Sequence, residues 1–281
     1  MKFFRYSDLE SFKADALDIL MEDEVQNNLP ISIILNSGQF NSDRWLLSTV
    51  SDDNSIIVLV AVCTKPYNII VYEPVYAQND WSMGFLASEL KRIGFDPPGV
   101  LSRNDLARRF AGVYCKNTDY KIKSSMVVMK LDELIEYKKA PGFSRLLTEE
   151  DLSYVPGWEH EFCIDCQLPL STPAEYEERI RTRLGKETHF IWEDGQPVCQ
   201  AVHGRDTPNS AVISWVYTPP QFRGKGYATS VVGELSESLL KKGKKFCCLF
   251  ADAANPASRS VYRKLGYYDV CVFDEIIFDM I

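Results

Sequence analysis

Apolar residues recur along this chain in two periods, and the change from one to the other marks out its elements. Residues 211–217 (Ala-Val-Ile-Ser-Trp-Val-Tyr) are rich in β-branched and aromatic types, and Pro219 and Pro220 stop the strand they predict. Downstream, Ala228, Val231, Val232, Leu235 and Leu239 fall on one face of a helix that Lys241, Lys242 and Gly243 bring to an end. The continuous apolar run 246–251 predicts a strand buried on both faces. Asn255 and Pro256 then read as the cap and first residue of a helix reaching Leu265, with Gly266 as its stop.

Working back from there, 189–192 and 197–203 predict a meander, and 175–184 a helix introduced by Ser171-Thr172-Pro173. A helix around 149–166 is expected to be interrupted at Pro156-Gly157. A break in pattern at Lys138-Lys139-Ala140-Pro141-Gly142, after a strand at 126–131 and a short helical stretch, divides the chain into residues 1–137 and 138–281. The first part predicts a helix at 9–21, strands at 45–50, 55–63 and 68–72, a helix at 82–93, a short strand at Val100-Leu101 and a helix at 104–114. It repeats the pattern of the second part in degraded form.

The chemistry concentrates where the 211–217 strand meets the following helix, at Gln221-Phe222-Arg223-Gly224-Lys225-Gly226-Tyr227-Ala228. The first N–H groups of a helix lack intrahelical partners and its dipole is positive there, so an anion binds if no Cβ obstructs it. Gly224 and Gly226 leave that approach open, although two glycines can also simply shape a turn. Arg223 and Lys225 read either as helpers to phosphates or as exposed surface. G-x-x-x-x-G-K-[ST] is absent, and Thr229 stands where a dinucleotide fold would want a third glycine. Tyr262 lies seven residues after Asn255, about two turns of ~3.6 residues, so both can face one crevice. Taken singly, they read equally as a core tyrosine and a plain cap.

Gln221, Gly224 and Gly226 resemble the Q/R-x-x-G-x-G/A signature of the GNAT superfamily of N-acyltransferases. Asn255, Ser258, Tyr262, Lys264, Gly266 and Tyr267 resemble the segment that closes many of its domains. The resemblance covers about residues 142–281, in the order βααβββαβαββ. It implies an α/β fold, a mixed twisted sheet flanked by helices, with two tandem GNAT-like domains in all. It also implies acetyl-CoA as cosubstrate, its pyrophosphate held by residues 221–228, with Val216, Tyr217 and Ser258 as further coenzyme A contacts. Asn255 would contact the pantetheine arm, Tyr262 would protonate the departing thiolate, and a backbone N–H, taken to be that of Val216, would serve the oxyanion. The acceptor is expected to be a small-molecule or peptide amine.

Where many relatives carry a glutamate, this chain has Asn209-Ser210-Ala211-Val212. His203 titrates in the useful range and is the candidate base, acting through water in place of a direct base, against its reading as an exposed hairpin histidine; Glu193 and Asp206 are weaker alternatives. The first part offers Gln78-Asn79-Asp80-Trp81-Ser82-Met83-Gly84 at the matching place. One glycine and an acidic residue suit a pyrophosphate poorly, so it is expected to lack a cofactor site. A non-catalytic acyl-CoA-binding regulator is the alternative to an enzyme.

Composition changes little. At 281 residues, 46% apolar and 25% charged, the chain suits two ordinary domains. No run suits a membrane span and no signal-like start is evident, so a cytoplasmic protein is expected. The formal charge of −8 disfavours nucleic acid and suits a cationic amine. Eight cysteines, several inside apolar strands, read as reduced core residues. His160, Cys163 and Cys166 lack the fourth ligand that a zinc site would want, so no metal is expected.

Overall fold

Each half of the chain runs through the same ten elements. The computed structural model describes all residues except positions 38, 39, 42, 78–80, 117, 118, 280 and 281. The first half comprises β1 (Lys2–Arg5), α1 (Leu9–Met21), α2 (Asn28–Asn36), β2 (Trp45–Ser51), β3 (Ile57–Thr64), β4 (Ile70–Tyr72), α3 (Ser82–Arg92), β5 (Gly99–Arg103), α4 (Asn104–Tyr114) and β6 (Tyr120–Leu131). The second comprises β7 (Phe143–Leu146), α5 (Val155–Asp165), α6 (Pro173–Arg181), β8 (His189–Glu193), β9 (Pro197–Gly204), β10 (Ser210–Tyr217), α7 (Tyr227–Lys241), β11 (Phe246–Asp252), α8 (Pro256–Arg263) and β12 (Tyr268–Phe278). Short 3₁₀ turns apart, both read βααβββαβαβ, and the α/β class is as expected.

The expected order had one more strand at the end of the second half. Sheet topology supplies that strand from elsewhere. One sheet runs β1-β2-β3-β4 and the other β5-β12-β6-β11-β10-β9-β8-β7. β6, from the first half, sits between β11 and β12; β12, from the second, sits between β5 and β6. Each half therefore lends its last strand to the other. The two sheets meet at a parallel bridge between Ile69 and Val100, where Ile69 N–H donates to the Gly99 carbonyl and Leu101 N–H to the Ile69 carbonyl, both at 2.9 Å. β10 and β11 pair in parallel at the matching place in the second half.

Local chemistry accounts for the elements that sequence pattern missed or misplaced. α2 was not among the expected elements; it accommodates Pro30 because that residue is its third, where the missing N–H has no intrahelical partner to lose. The helix expected at 149–166 breaks at Tyr154, not at Pro156-Gly157. A 3₁₀ turn at Glu149–Ser153 precedes it, and Pro156 falls in the first turn of α5, where proline is tolerated. Residues 132–141, expected to include helix, have none.

The faces of the second half divide cleanly. Phe190, Trp192, Ala201, Ala211, Ile213, Cys247 and Leu249 pack under α7 with Val231, Val232 and Leu235. On the opposite face Val212, Cys248 and Phe250 join Val128, Phe273 and Val25, the last from the turn between α1 and α2. Alternate residues of β11 thus serve the two faces, both of them covered. No helix of the described residues is long and apolar enough to cross a membrane.

Candidate functional site: a glycine cradle beside two parting strands

The cradle forms because β10 cannot run straight into α7. Pro219 and Pro220 end the strand, Pro220–Phe222 makes a 3₁₀ turn, and Gly224 (φ 79°) and Gly226 (φ 86°) take the left-handed conformation that other residues resist. A Cβ on Gly224 would meet nothing within 4 Å; one on Gly226 would lie 3.8 Å from the Ala140 Cβ. Conformation, not crowding, is therefore what selects glycine here. Gly226 caps α7 with no side-chain hydrogen bond, so the first N–H groups of the helix, from Tyr227 and Ala228 on, are open to an anion. Gln221, Arg223, Gly224, Lys225 and Gly226 are exposed around this opening, with Phe222 and Ala228 half-buried.

The predicted helpers are partly engaged. Arg223 donates to the Thr218 carbonyl at 2.9 Å and pairs with Asp165 at 2.6 Å, which ties α5 to the cradle. The Lys225 ammonium lies 5.9 Å from the centroid of the Phe222 ring. Tyr227 is buried and donates to Asp194 at 2.5 Å.

Next to the cradle, β10 and β11 part company. Their parallel pairing covers Ser210↔Phe246 to Ile213↔Leu249 and goes no further. On the other side of β10 the register with β9 slips between Ser214↔Val202 and Tyr217↔Gln200, a bulge in which Trp215 takes φ 52°. Trp215 and Val216 have no register partner in β9 at this bulge. The buried Tyr217 hydroxyl donates to Glu161 at 2.5 Å.

Tyr262 approaches the same end of β10 from α8. It is buried, and burial drives its phenol well above the ordinary tyrosine range, with Cys199 and Cys166 adding to the effect. Cys199 accepts from the Thr218 hydroxyl at 3.1 Å, which places this group of residues where β10 turns towards the cradle. Asn255 caps α8, its Oδ1 accepting from Ser258 N–H at 3.1 Å, and is exposed at the end of β11. Tyr227 and Tyr262 belong to one apolar cluster, with Val216, Phe222 and Ala228 packed against it, while Asn255 and Ser258 form the cap of the helix that carries Tyr262.

His203 is not part of that group. It pairs with Ile213, three residues along β9 from Gln200, which puts it roughly 10 Å from the level of Tyr217. Its side chain is buried, not exposed: Nε2 lies 3.0 Å from the Glu187 carbonyl, and Nδ1 stands 4.0 Å from Asp206. Burial lowers its pKa. Of the weaker alternatives, Glu193 pairs with Arg145 at 2.6 Å and Asp206 with Lys244 at 3.3 Å. No group of three or more His, Cys, Asp or Glu among the described residues is placed to hold a metal ion.

The matching place in the first half is filled by the chain itself. The Glu73 carboxylate, fully buried just after β4, accepts from the Ser82 hydroxyl at the start of α3 and from Arg109 on α4 at 2.7 Å. An internal anion already sits at that helix end. Gly84 lies within α3, and Gln78, Asn79 and Asp80 fall outside the described residues.

Sequence reasoning overlooked two groups. Glu161, the partner of Tyr217, belongs to α5, and only the packing of α5 on β10 brings them together. Arg205, in the hairpin between β9 and β10, reaches across the sheet to lie 5.5 Å from the centroid of Phe250.

Residues 195–273, which include β10, the cradle and β11, match the model of the FR47-like protein family. No curated protein matches the chain. Among solved structures, a GCN5-related N-acetyltransferase from Sphaerobacter thermophilus is similar over 98% of this chain and 95% of its own, at 14% identity and a TM-score of 0.68. A GNAT-family acetyltransferase from Colwellia psychrerythraea is similar over 99% of each chain, at 11% identity and a TM-score of 0.62. A tandem GNAT protein from the clavulanic acid biosynthesis pathway covers 98% of this chain with 97% of its own, at 14% identity and a TM-score of 0.57. At such identities the likeness is one of fold. With the repeated elements, it shows that the chain has the GNAT fold in tandem form, its carboxy-terminal half carrying the FR47-like segment.

Proposed function

We propose that the protein is an N-acyltransferase that moves an acyl group, acetyl by default, from coenzyme A to a primary amine. The observation that carries this reading is the opening between β10 and β11, flanked by an uncapped helix terminus on one side and a buried phenol on the other. The likeness to GNAT acetyltransferases supports it. Coenzyme A suits the cradle because its pyrophosphate is an anion and Gly224 and Gly226 bring no side chain to the approach.

In this reading residues 224–228 bind the pyrophosphate through backbone N–H groups, and Asn255 meets the pantetheine arm. The bulge at Trp215 and Val216 presents an N–H to the thioester oxygen, where charge grows as the amine adds. Tyr262 holds its proton at neutral pH because burial disfavours the phenolate, so it can give that proton to the departing sulfur. The amine must arrive neutral. His203 is buried against the Glu187 carbonyl, about three residues along β9 from the level of Tyr217, so in this reading it would act on the amine through water.

Thiol release from acetyl-CoA against a panel of amines, with mass spectrometry of the products, tests the reading. N-acetylated product with at least one amine is expected. Coenzyme A binding without transfer to any amine would instead identify a non-catalytic binding protein.

A further inference from the structure

Arg205 is a cation with no anion. Among the described residues no carboxylate comes within ion-pair distance of it, whereas Lys244 pairs with Asp206, the next residue of the hairpin. Its backbone is in the left-handed region (φ 50°), uncommon for a residue with a Cβ, and this turns the side chain back over the sheet. There the guanidinium lies over the Phe250 ring. The residue is exposed, and the desolvation of its guanidinium lowers its pKa.

The position of the guanidinium gives it meaning. Phe250 follows Leu249, the last residue of β11 to pair with β10, so the cation stands beside the point where the strands part. It lies on the face opposite α7. The cradle follows the carboxy-terminal end of β10, with Tyr217 four residues beyond Ile213, or about 13 Å, so Arg205 is placed nearer the parting than the pyrophosphate site. The first half fixes the hairpin that carries it. Glu24, from the turn after α1, accepts from the Thr207 hydroxyl, from Asn209 N–H at 2.9 Å and from the Asn209 side chain at 2.6 Å, while Asn36 of α2 donates to the Asp206 carbonyl at 3.0 Å.

We propose that Arg205 binds a carboxylate carried by the acceptor, so that the acceptor is an amino acid or a peptide with its carboxylate near the reacting amine. The inference rests on the N-acyltransferase reading and narrows it from amines in general to amines bearing an anion. A guanidinium offers a planar, two-pronged donor set that matches a carboxylate. One such cation balances a monoanion, whereas a phosphate dianion would call for a second. The first half then contributes to acceptor choice without binding a cofactor, because its α1–α2 turn holds the specificity hairpin in place.

Binding of a panel of N-acetyl amino acids, each against its own amide, tests this by calorimetry on the full chain saturated with coenzyme A. These probes carry the carboxylate but need no turnover, so the outcome does not depend on catalysis. At least one acid should bind about tenfold or more tighter than its amide. Arg205→Gln should abolish that difference and Arg205→Lys retain part of it, with thermal unfolding midpoints confirming that both variants fold. N-acetyl aminophosphonates form a third arm, and a preference for them over the acids would overturn the carboxylate assignment. Equal binding of acid and amide, no binding by any acid, or a preference that survives Arg205→Gln would also overturn it. Failure of the transferase reading shows separately, as acid-selective binding without transfer to any amine.

Discussion

Val272 of β12 lies opposite Val127 of β6, and each belongs to the last strand of a different half. Around this pair the order β5-β12-β6-β11 reads the same when the halves are exchanged, β5 for β11 and β6 for β12. The halves are therefore related by an approximate two-fold through the joined sheet, and neither completes its sheet alone. The division between residues 137 and 138 separates them along the chain, but the strand pairing crosses it.

A chain of residues 142–281 lacks β6, leaving β11 and β12 without the strand between them and Val128 missing from the apolar cluster around Phe250 and Phe273. Two open strand edges favour aggregation. This fragment should not fold cooperatively alone, whereas co-expression with residues 1–137 should restore a soluble complex. Calorimetric unfolding of the purified fragment checks this, and a single cooperative transition from the fragment would refute the claim.

Tyr262→Phe keeps the ring and removes the proton. Turnover should fall by about a hundred- to ten-thousandfold, with coenzyme A affinity little changed, since the interaction is made mainly as the thiolate departs. Steady-state kinetics with titration calorimetry separates these effects. Unchanged turnover would make Tyr262 a packing residue only.

His189 is fully buried, with Nε2 3.3 Å from Gln200, and burial above all, then the Arg183 charge, lowers its pKa from 6.5 to about 3. The unfolded chain thus binds a proton below about pH 6.5 that the folded chain refuses until about pH 3. Stability from this group is complete above the higher value and is lost as pH falls through the window, at about 1.4 kcal/mol per pH unit. Urea unfolding of wild type and His189→Gln from pH 7 to 4 should show a shallower acid loss in the variant. Parallel curves would contradict the assignment.

Local features of the site were the legible ones. Gly224 and Gly226 announce left-handed turns because few other residues tolerate them, and Asn255-Pro256 announces a helix start because the cap is built within four residues. What depends on distant pairing was hidden. The run Val127-Val128-Met129 shows a buried strand but not that β11 and β12 bury it, because periodicity carries no partner. Arg205 reads as an ordinary hairpin cation until the register carries it over Phe250, and His203 reads as titratable and exposed until the fold buries it against Glu187. The two halves resemble each other in pattern alone, and so the exchange of their last strands left no trace in the residues.

The central claim is that one cradle, in the second half, takes coenzyme A, while Glu73 fills the equivalent place in the first. Titration calorimetry of coenzyme A into the full chain and into Gly226→Glu tests it most directly. The variant puts a side chain and a negative charge at a left-handed position on the helix terminus. One molecule bound per wild-type chain, and none per variant chain that still folds, is the predicted result; two per chain, or undiminished binding by the variant, would contradict the account.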